Sequence, residues 1–271
     1  MRKLKRVWGT PLSFAFLLSG CFHPPLFKPQ GIPIQPAESA SLCQKIQERQ
    51  EGIQTVRMLA NVVIKQGDDV DRVRYVIVYR APNSLHLEVL PVQGAYGLAL
   101  VVQNGESVTA LDTVNKRVWH GSDLGQVLGQ VMPALPIGFN EIVALIKGSL
   151  PNGACRLDNR MIQFYQDQNT FSVLLPRAGS LWQLRRSDLL LTAFNVSDKY
   201  SENVVMEGEI KAFSETGGFL LPGEVHLTSP LVSTEADLTV TRVRVNEELG
   251  DQLFTVQVPG DYTEVKSKEE M

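Results

Sequence analysis

Most of this chain keeps a period of two. From about residue 56 to residue 258, apolar and polar side chains alternate along short runs separated by turn residues. Such alternation places one set of side chains on each face of a strand. Val73, Tyr75, Ile77 and Tyr79 alternate with Arg72, Arg74 and Arg80, and Leu85, Leu87 and Val89 alternate with His86 and Glu88. Further strands are expected at 98–103, 108–112, 117–120, 161–165, 170–175, 181–186, 190–196, 204–213 and 224–229. Asn104-Gly105 is the strongest hairpin signal, since both central positions of a type I′ turn need positive φ. Gly217-Gly218 and Pro222-Gly223 read as turns. Ala236, Leu238 and Val240 alternate, and Val243 and Val245 continue on the opposite parity, which predicts a bulge. Residues 254–258 are expected to close the sheet. Short connections favour antiparallel pairing. A sheet of about 11 strands is too wide to stay flat, so it should curl into a barrel or half-barrel.

The helical period appears twice. Between about 122 and 148, Leu124, Val127, Leu128 and Val131 fall at i, i+3, i+4 and i+7, before Pro133 and Pro136. Phe139, Ile142, Val143 and Ile146 repeat the spacing, and Gly148 suits a C-terminal cap. Earlier, Ser39 or Ser41 can cap a helix running through Glu51, with Leu42, Cys43 and Ile46 on one side. The expected fold is mainly β with α (α+β): a large curled antiparallel half-barrel roofed by short helices. Tyr75, Ile77, Leu85, Leu87, Leu98 and Leu100 would line one sheet face, and Leu124, Leu128, Phe139, Ile142 and Ile146 the lid. A filled core is the ordinary fate of such residues. A curled sheet of this size, however, can enclose more space than three short helices fill. Arg74, if it points inward, could reach backbone carbonyls of the lid.

The N-terminus carries a different grammar. Arg2, Lys3, Lys5 and Arg6 precede an apolar run over 7–18 that is too short to span a bilayer. Leu18-Ser19-Gly20-Cys21 follows. This is a secretory signal, and its end resembles the bacterial lipobox, which implies acylation of Cys21. Pro24, Pro25, Pro29, Pro33 and Pro36 mark an extended tether. The chain is therefore divided into a signal peptide (1–20), a lipidated Cys and tether (21–38), a folded domain (39–266) and a charged tail (267–271). Cys43 and Cys155 remain. An exported compartment permits a disulfide between them, but spacing alone leaves two separate thiols equally open.

Chemistry finds little support. A net charge of -3 without a basic run disfavours a nucleic-acid partner. No Gly-x-Ser-x-Gly elbow occurs. His23, His86, His120 and His226 are dispersed, and His86 and His226 fall on the polar parity of their strands, facing solvent. Neither His nor Cys shows metal-ligand spacing, and no phosphate loop is present. Glu207 and Glu209 read as a solvated strand face. The expectation is a protein without catalytic residues, metal or cofactor.

A lipobox, a Pro-rich tether, one N-terminal helix and two helices set into a long antiparallel sheet resemble the bacterial lipoprotein-localisation proteins of the LolA/LolB type. The stretch 74–89 matches that superfamily's long strand, tight turn and alternating strand, and 138–150 looks like its second inserted helix. The likeness covers most of residues 40–262. It implies an apolar cavity that accepts acyl chains, such as palmitate, of lipoproteins in transit, and a lipid-anchored LolB-type member. Phe22 after Cys21, in place of Asp, implies the outer membrane, facing the periplasm. The implied partners are the membrane, lipoprotein or lipid acyl chains and a periplasmic carrier protein. The anchored member has a loop after the third strand that presents an apolar residue to the membrane. Val92 and Tyr96 occupy that place here, the alternative being a plain hairpin loop whose Tyr packs back on the sheet. A second function on the same fold would be a non-enzymatic envelope sensor or scaffold that binds a protein partner.

Overall fold

The computed structural model describes residues 29, 31–93, 96–132, 137–157, 161–198 and 203–265. The signal segment, Cys21, most of the tether and the tail 267–271 lie outside the described residues. The chain enters through β1 (Ile32–Pro33) and α1 (Pro36–Gly52). Six strands follow: β2 (Thr55–Gln66), β3 (Asp69–Arg80), β4 (Ser84–Pro91), β5 (Ala99–Asn104), β6 (Ser107–Asp112) and β7 (Arg117–Gly121). Helices α2 (Leu124–Val131) and α3 (Phe139–Lys147) come next. The second strand run is β8 (Gln163–Gln166), β9 (Thr170–Leu175), β10 (Ser180–Arg185), β11 (Leu191–Ser197), β12 (Val204–Thr216), β13 (Phe219–Ser229) and β14 (Thr234–Val245), with β15 (Thr263–Glu264) last.

The fifteen strands of the described residues form one open sheet in the order β1-β8-β9-β10-β11-β12-β13-β14-β2-β3-β4-β5-β6-β7-β15. Every pair is antiparallel except the parallel β7–β15 contact. The sheet is wider than the eleven or so strands expected, partly because both edges are two-residue strands with no alternation to read. Side chains alternate between the two faces where the sheet is central. Val56, Met58, Ala60 and Val62 face the core from β2, Tyr75, Ile77 and Tyr79 from β3, and Leu85, Leu87 and Val89 from β4. The three helices cover this face.

Local chemistry sets the element ends. Helix α1 begins at Pro36, inside the stretch expected to be tether, because a proline at the first helical position gives up a donor that would be unpaired anyway. Asp123 caps α2 by accepting from Gln126 N at 2.9 Å. Gly148 ends α3 with φ 58°, the left-handed geometry expected of it. The β5–β6 hairpin closes on the pair Asn104 and Ser107, one residue later than the Asn-Gly reading, and Gly105 takes the positive φ.

Three expectations fail. Pro222-Gly223 is no turn: it lies within β13, where the register against β12 shifts between Ile210 and Phe213. A bulge tolerates a proline that cannot donate to the ladder. Residues 254–258 form no strand. Asp251–Phe254 is a single 3-10 turn, and Phe254 packs on the outer face against Val78 and Val102. Arg80 fixes it there, 2.6 Å from Asp251 and 4.3 Å over the Phe254 ring. Leu100 belongs to this outer cluster and not to the inner face. The bulge in β14 falls between Val240 and Arg242, where the parity of the sequence slips.

One lobe of the concave side is filled by aromatic rings. Trp182 and Phe194 stack with centroids 4.9 Å apart, both fully buried. Gly208 makes the room, since a Cβ there would lie 2.0 Å from the Phe194 ring. The space left under the helices is correspondingly smaller than the width of the sheet alone implies.

Candidate functional site: an apolar cavity beneath the helices

The remaining space is a cavity of about 80 Å³ between the concave face and the lid. Met58 reaches it from β2, Tyr75 and Ile77 from β3, and Leu87 from β4. Strand β13 gives Pro222, Val225 and Leu227, and β14 gives Leu238 and Val240. The roof is Leu128 of α2, Met132 and Ile137 of the α2–α3 connection, and Ile142, Leu145 and Ile146 of α3. The Tyr75 hydroxyl is the polar group of this wall. Among the described residues it meets the weak acceptor Met132 Sδ, at 3.6 Å, and burial pushes its pKa up to about 12. Water needs two or more polar partners to occupy such a space, and the described lining is apolar apart from that hydroxyl.

Of the side chains expected to line a cavity, Tyr75, Ile77, Leu87, Leu128, Ile142 and Ile146 do so. Leu85 and Leu124 are buried in the same core away from it. Phe139 is partly buried, its ring 6.3 Å from that of Tyr79. Leu98 precedes β5 and donates its N–H to Val89 O at 2.7 Å. Leu100 faces outward. Val225, Leu227, Leu238 and Val240 fall in stretches expected as strands but not among the expected cavity lining, because pairing β14 with β2 brings together segments about 180 residues apart, which no local pattern announces.

The lid is clasped at one corner. Helix C-termini leave carbonyls without partners and carry partial negative charge. Here α1 and α3 end side by side and serve each other. Lys147 Nζ donates to Gln50 O at 2.9 Å, Arg49 Nη1 donates to Lys147 O at 2.7 Å, and Gln50 Nε2 donates to Leu150 O at 2.6 Å. Lys147 is only 4% exposed and lies 4.9 Å over the Tyr79 ring. A disulfide joins Cys43 of α1 to Cys155 just beyond α3, with Cα atoms 5.2 Å apart. Arg74 plays no part in this. It stands on the outer parity of β3 and donates to Pro91 O of β4 at 3.2 Å. His86, expected in solvent, is covered by the C-terminal segment, with Nδ1 2.8 Å from Leu253 O.

Burial, helped by the neighbouring Arg49 charge, lowers the Lys147 pKa from the ordinary 10.5 to about 8. Between these values the unfolded chain holds more protons than the folded one, so stability rises with pH across that window. Below pH 8 the cost of burying the ammonium is fully present. Wild type should therefore gain about 1–2 kcal/mol on Lys147→Met between pH 8 and 9.5. Denaturant melts of both proteins across that range test this, and parallel pH slopes would refute it. Above pH 10 Tyr75 pulls the other way, because its raised pKa removes stability as pH climbs.

At the far end of the sheet, Tyr96 is 87% and Val92 50% exposed on the loop between β4 and β5. Val114, 67% exposed, stands on the adjoining β6–β7 turn. Thr113 ties the two loops together through Leu98 O at 3.1 Å and through Gly97 O.

No family model matches this chain, and no curated protein matches it in sequence. Solved structures do share its fold. A domain from Vibrio parahaemolyticus, provisionally assigned to outer-membrane lipoprotein sorting, superposes with a TM-score of 0.59 at 8% identity, over 81% of this chain and 97% of that one. A DUF1329 family protein from Desulfovibrio piger gives 0.58 at 11% identity, over 81% and 96%. A LolA superfamily protein from Nitrosomonas europaea gives 0.49 at 13% identity, over 80% and 97%. The curled sheet with its helical lid is thus a fold shared with the Vibrio and Desulfovibrio structures.

Proposed function

We propose that this protein is an envelope lipoprotein that takes up acyl chains of lipoproteins or lipids beneath its lid and assists their localisation to the outer membrane. The observation that carries this reading is the apolar cavity, walled by five strands and roofed by two helices. Acyl groups on Cys21 would hold the protein to the outer membrane, facing the periplasm, and the exposed Tyr96, Val92 and Val114 would dip into the interface. Tyr suits that position because its ring is apolar and its hydroxyl polar. Uptake is binding and not chemistry: each methylene buried contributes about 0.8 kcal/mol, and no catalytic residue or cofactor is required. A periplasmic carrier is the expected donor of cargo.

The cavity at about 80 Å³ is smaller than the roughly 150 Å³ space that admits benzene in an engineered core. A whole acyl chain therefore enters only as the lid moves. Native mass spectrometry of protein purified without detergent, then titrated with palmitate, should show one acyl species per chain. Failure to retain palmitate would remove the basis of the proposal. Depleting the protein from cells should leave other lipoproteins at the inner membrane, and unchanged lipoprotein fractionation would sink the localisation role.

A further inference from the structure

The convex face of the sheet, opposite the cavity, carries a second recess of about 240 Å³. Its floor is Leu59 of β2 and Val76 of β3, and its walls are Arg57 of β2 with Arg242 and Arg244 of β14. Arg57 and Arg244 are direct cross-strand partners. Like charges opposite one another in a ladder are destabilising, so this pairing works against the fold. The β14 bulge creates it. Strand β14 turns Val240 inward, and continued alternation would turn Arg242 and Arg244 inward as well. The extra residue turns both outward, beside Arg57.

The three charges are poorly compensated. Arg244 Nη1 lies 3.0 Å from Glu247. Among the described residues, neither Arg57 nor Arg242 meets a carboxylate, on a chain whose net charge is -3. Guanidinium groups present planar forks of N–H donors that match phosphate oxygens in pairs. The recess is the size of about eight liquid waters, enough for a phosphate with a small substituent such as glycerol. Two apolar side chains form the floor beneath the exposed guanidinium groups, which can close on a phosphate from the sides.

We propose that this recess is a binding site for a phosphate group, carried on a lipid headgroup or on a soluble phosphate ester. The site is independent of acyl uptake, since it lies on the other face of the sheet. The test compares wild type with R57Q/R242Q and with K45Q/R117Q, a control that removes the same charge from exposed positions on α1 and β7. Inorganic phosphate is titrated by calorimetry and by its effect on the melting temperature. Vesicles of phosphatidylglycerol and of phosphatidylcholine are compared by flotation, the lipid anchor contributing equally to both.

Wild type and the control should bind phosphate or prefer phosphatidylglycerol, and R57Q/R242Q should lose at least tenfold of that binding. Phosphate binding alone identifies a soluble ester, and the vesicle preference alone a headgroup. The substituted residues are exposed, so R57Q/R242Q should melt no lower than wild type in phosphate-free buffer while losing the rise that phosphate produces. The proposal is overturned if wild type shows neither response, or if R57Q/R242Q and the control fall equally.

Discussion

Replacing Cys43 and Cys155 together by Ser is expected to lower the stability of the domain by about 4–5 kcal/mol. The bridge closes a segment of 112 residues, which includes the first six central strands and both lid helices. Opening it frees that segment in the unfolded chain, and the conformational cost of folding rises accordingly. In a domain of this size the loss corresponds to roughly 10 °C or more of melting temperature. Calorimetry of C43S/C155S, and of wild type with and without a thiol reductant, measures it. A shift of only a degree or two would show that the hydrogen bonds among Arg49, Gln50 and Lys147 hold the corner without the bridge. The variant should also expose the backbone amides of 148–156 to hydrogen exchange before those of β2 and β3, because the clasp is local to the ends of α1 and α3.

Val225→Phe is expected to abolish acyl binding, with a loss of at least tenfold, while leaving the protein at least as stable as before. Val225 is buried at the centre of β13, opposite Leu238, and its side chain borders the cavity. The added ring can occupy space that is empty. Removing an 80 Å³ void recovers at most about 2 kcal/mol, which offsets the strain of a larger side chain. A substitution in the sheet also leaves the lid helices untouched, so a binding defect reports loss of space. Titration of V225F with a fluorescent fatty acid, beside its denaturant melt, reads both quantities. Binding equal to wild type in a folded V225F would place the acyl chain elsewhere.

Much of this architecture was written in local pattern. The alternation from Val73 to Val89 named two strands and the inward side of each, and the spacing of Leu124, Val127, Leu128, Ile142 and Ile146 named the lid. The parity slip after Val240 named a bulge. Other features depend on partners that sequence does not display. Leu100 stands in the unbroken apolar run 98–102, where no alternation marks the faces; pairing opposite Glu88 turns it outward, and the segment 249–256 covers it there. Phe254 has strand-like company yet lies in a turn held by Arg80. The roles of Lys147 and Arg49 were invisible, since they arise only where two helix ends meet. The cavity residues on β13 and β14 were legible as apolar but not as neighbours of Tyr75.

A roof fastened at one corner has a restricted way of swinging. With the end of α3 and the turn after it held to α1 by three polar contacts and a disulfide, the freedom to lift belongs to α2 and to Met132 beside it. Those parts meet the sheet through Leu124, Val127, Leu128 and Met132. A hydrocarbon guest sliding under them would exchange one greasy contact for another of similar strength, so admission and release need no fuel and little net driving force. Direction of traffic would then be set by which membrane or carrier offers the better resting place, and the protein would act as a passive relay between them.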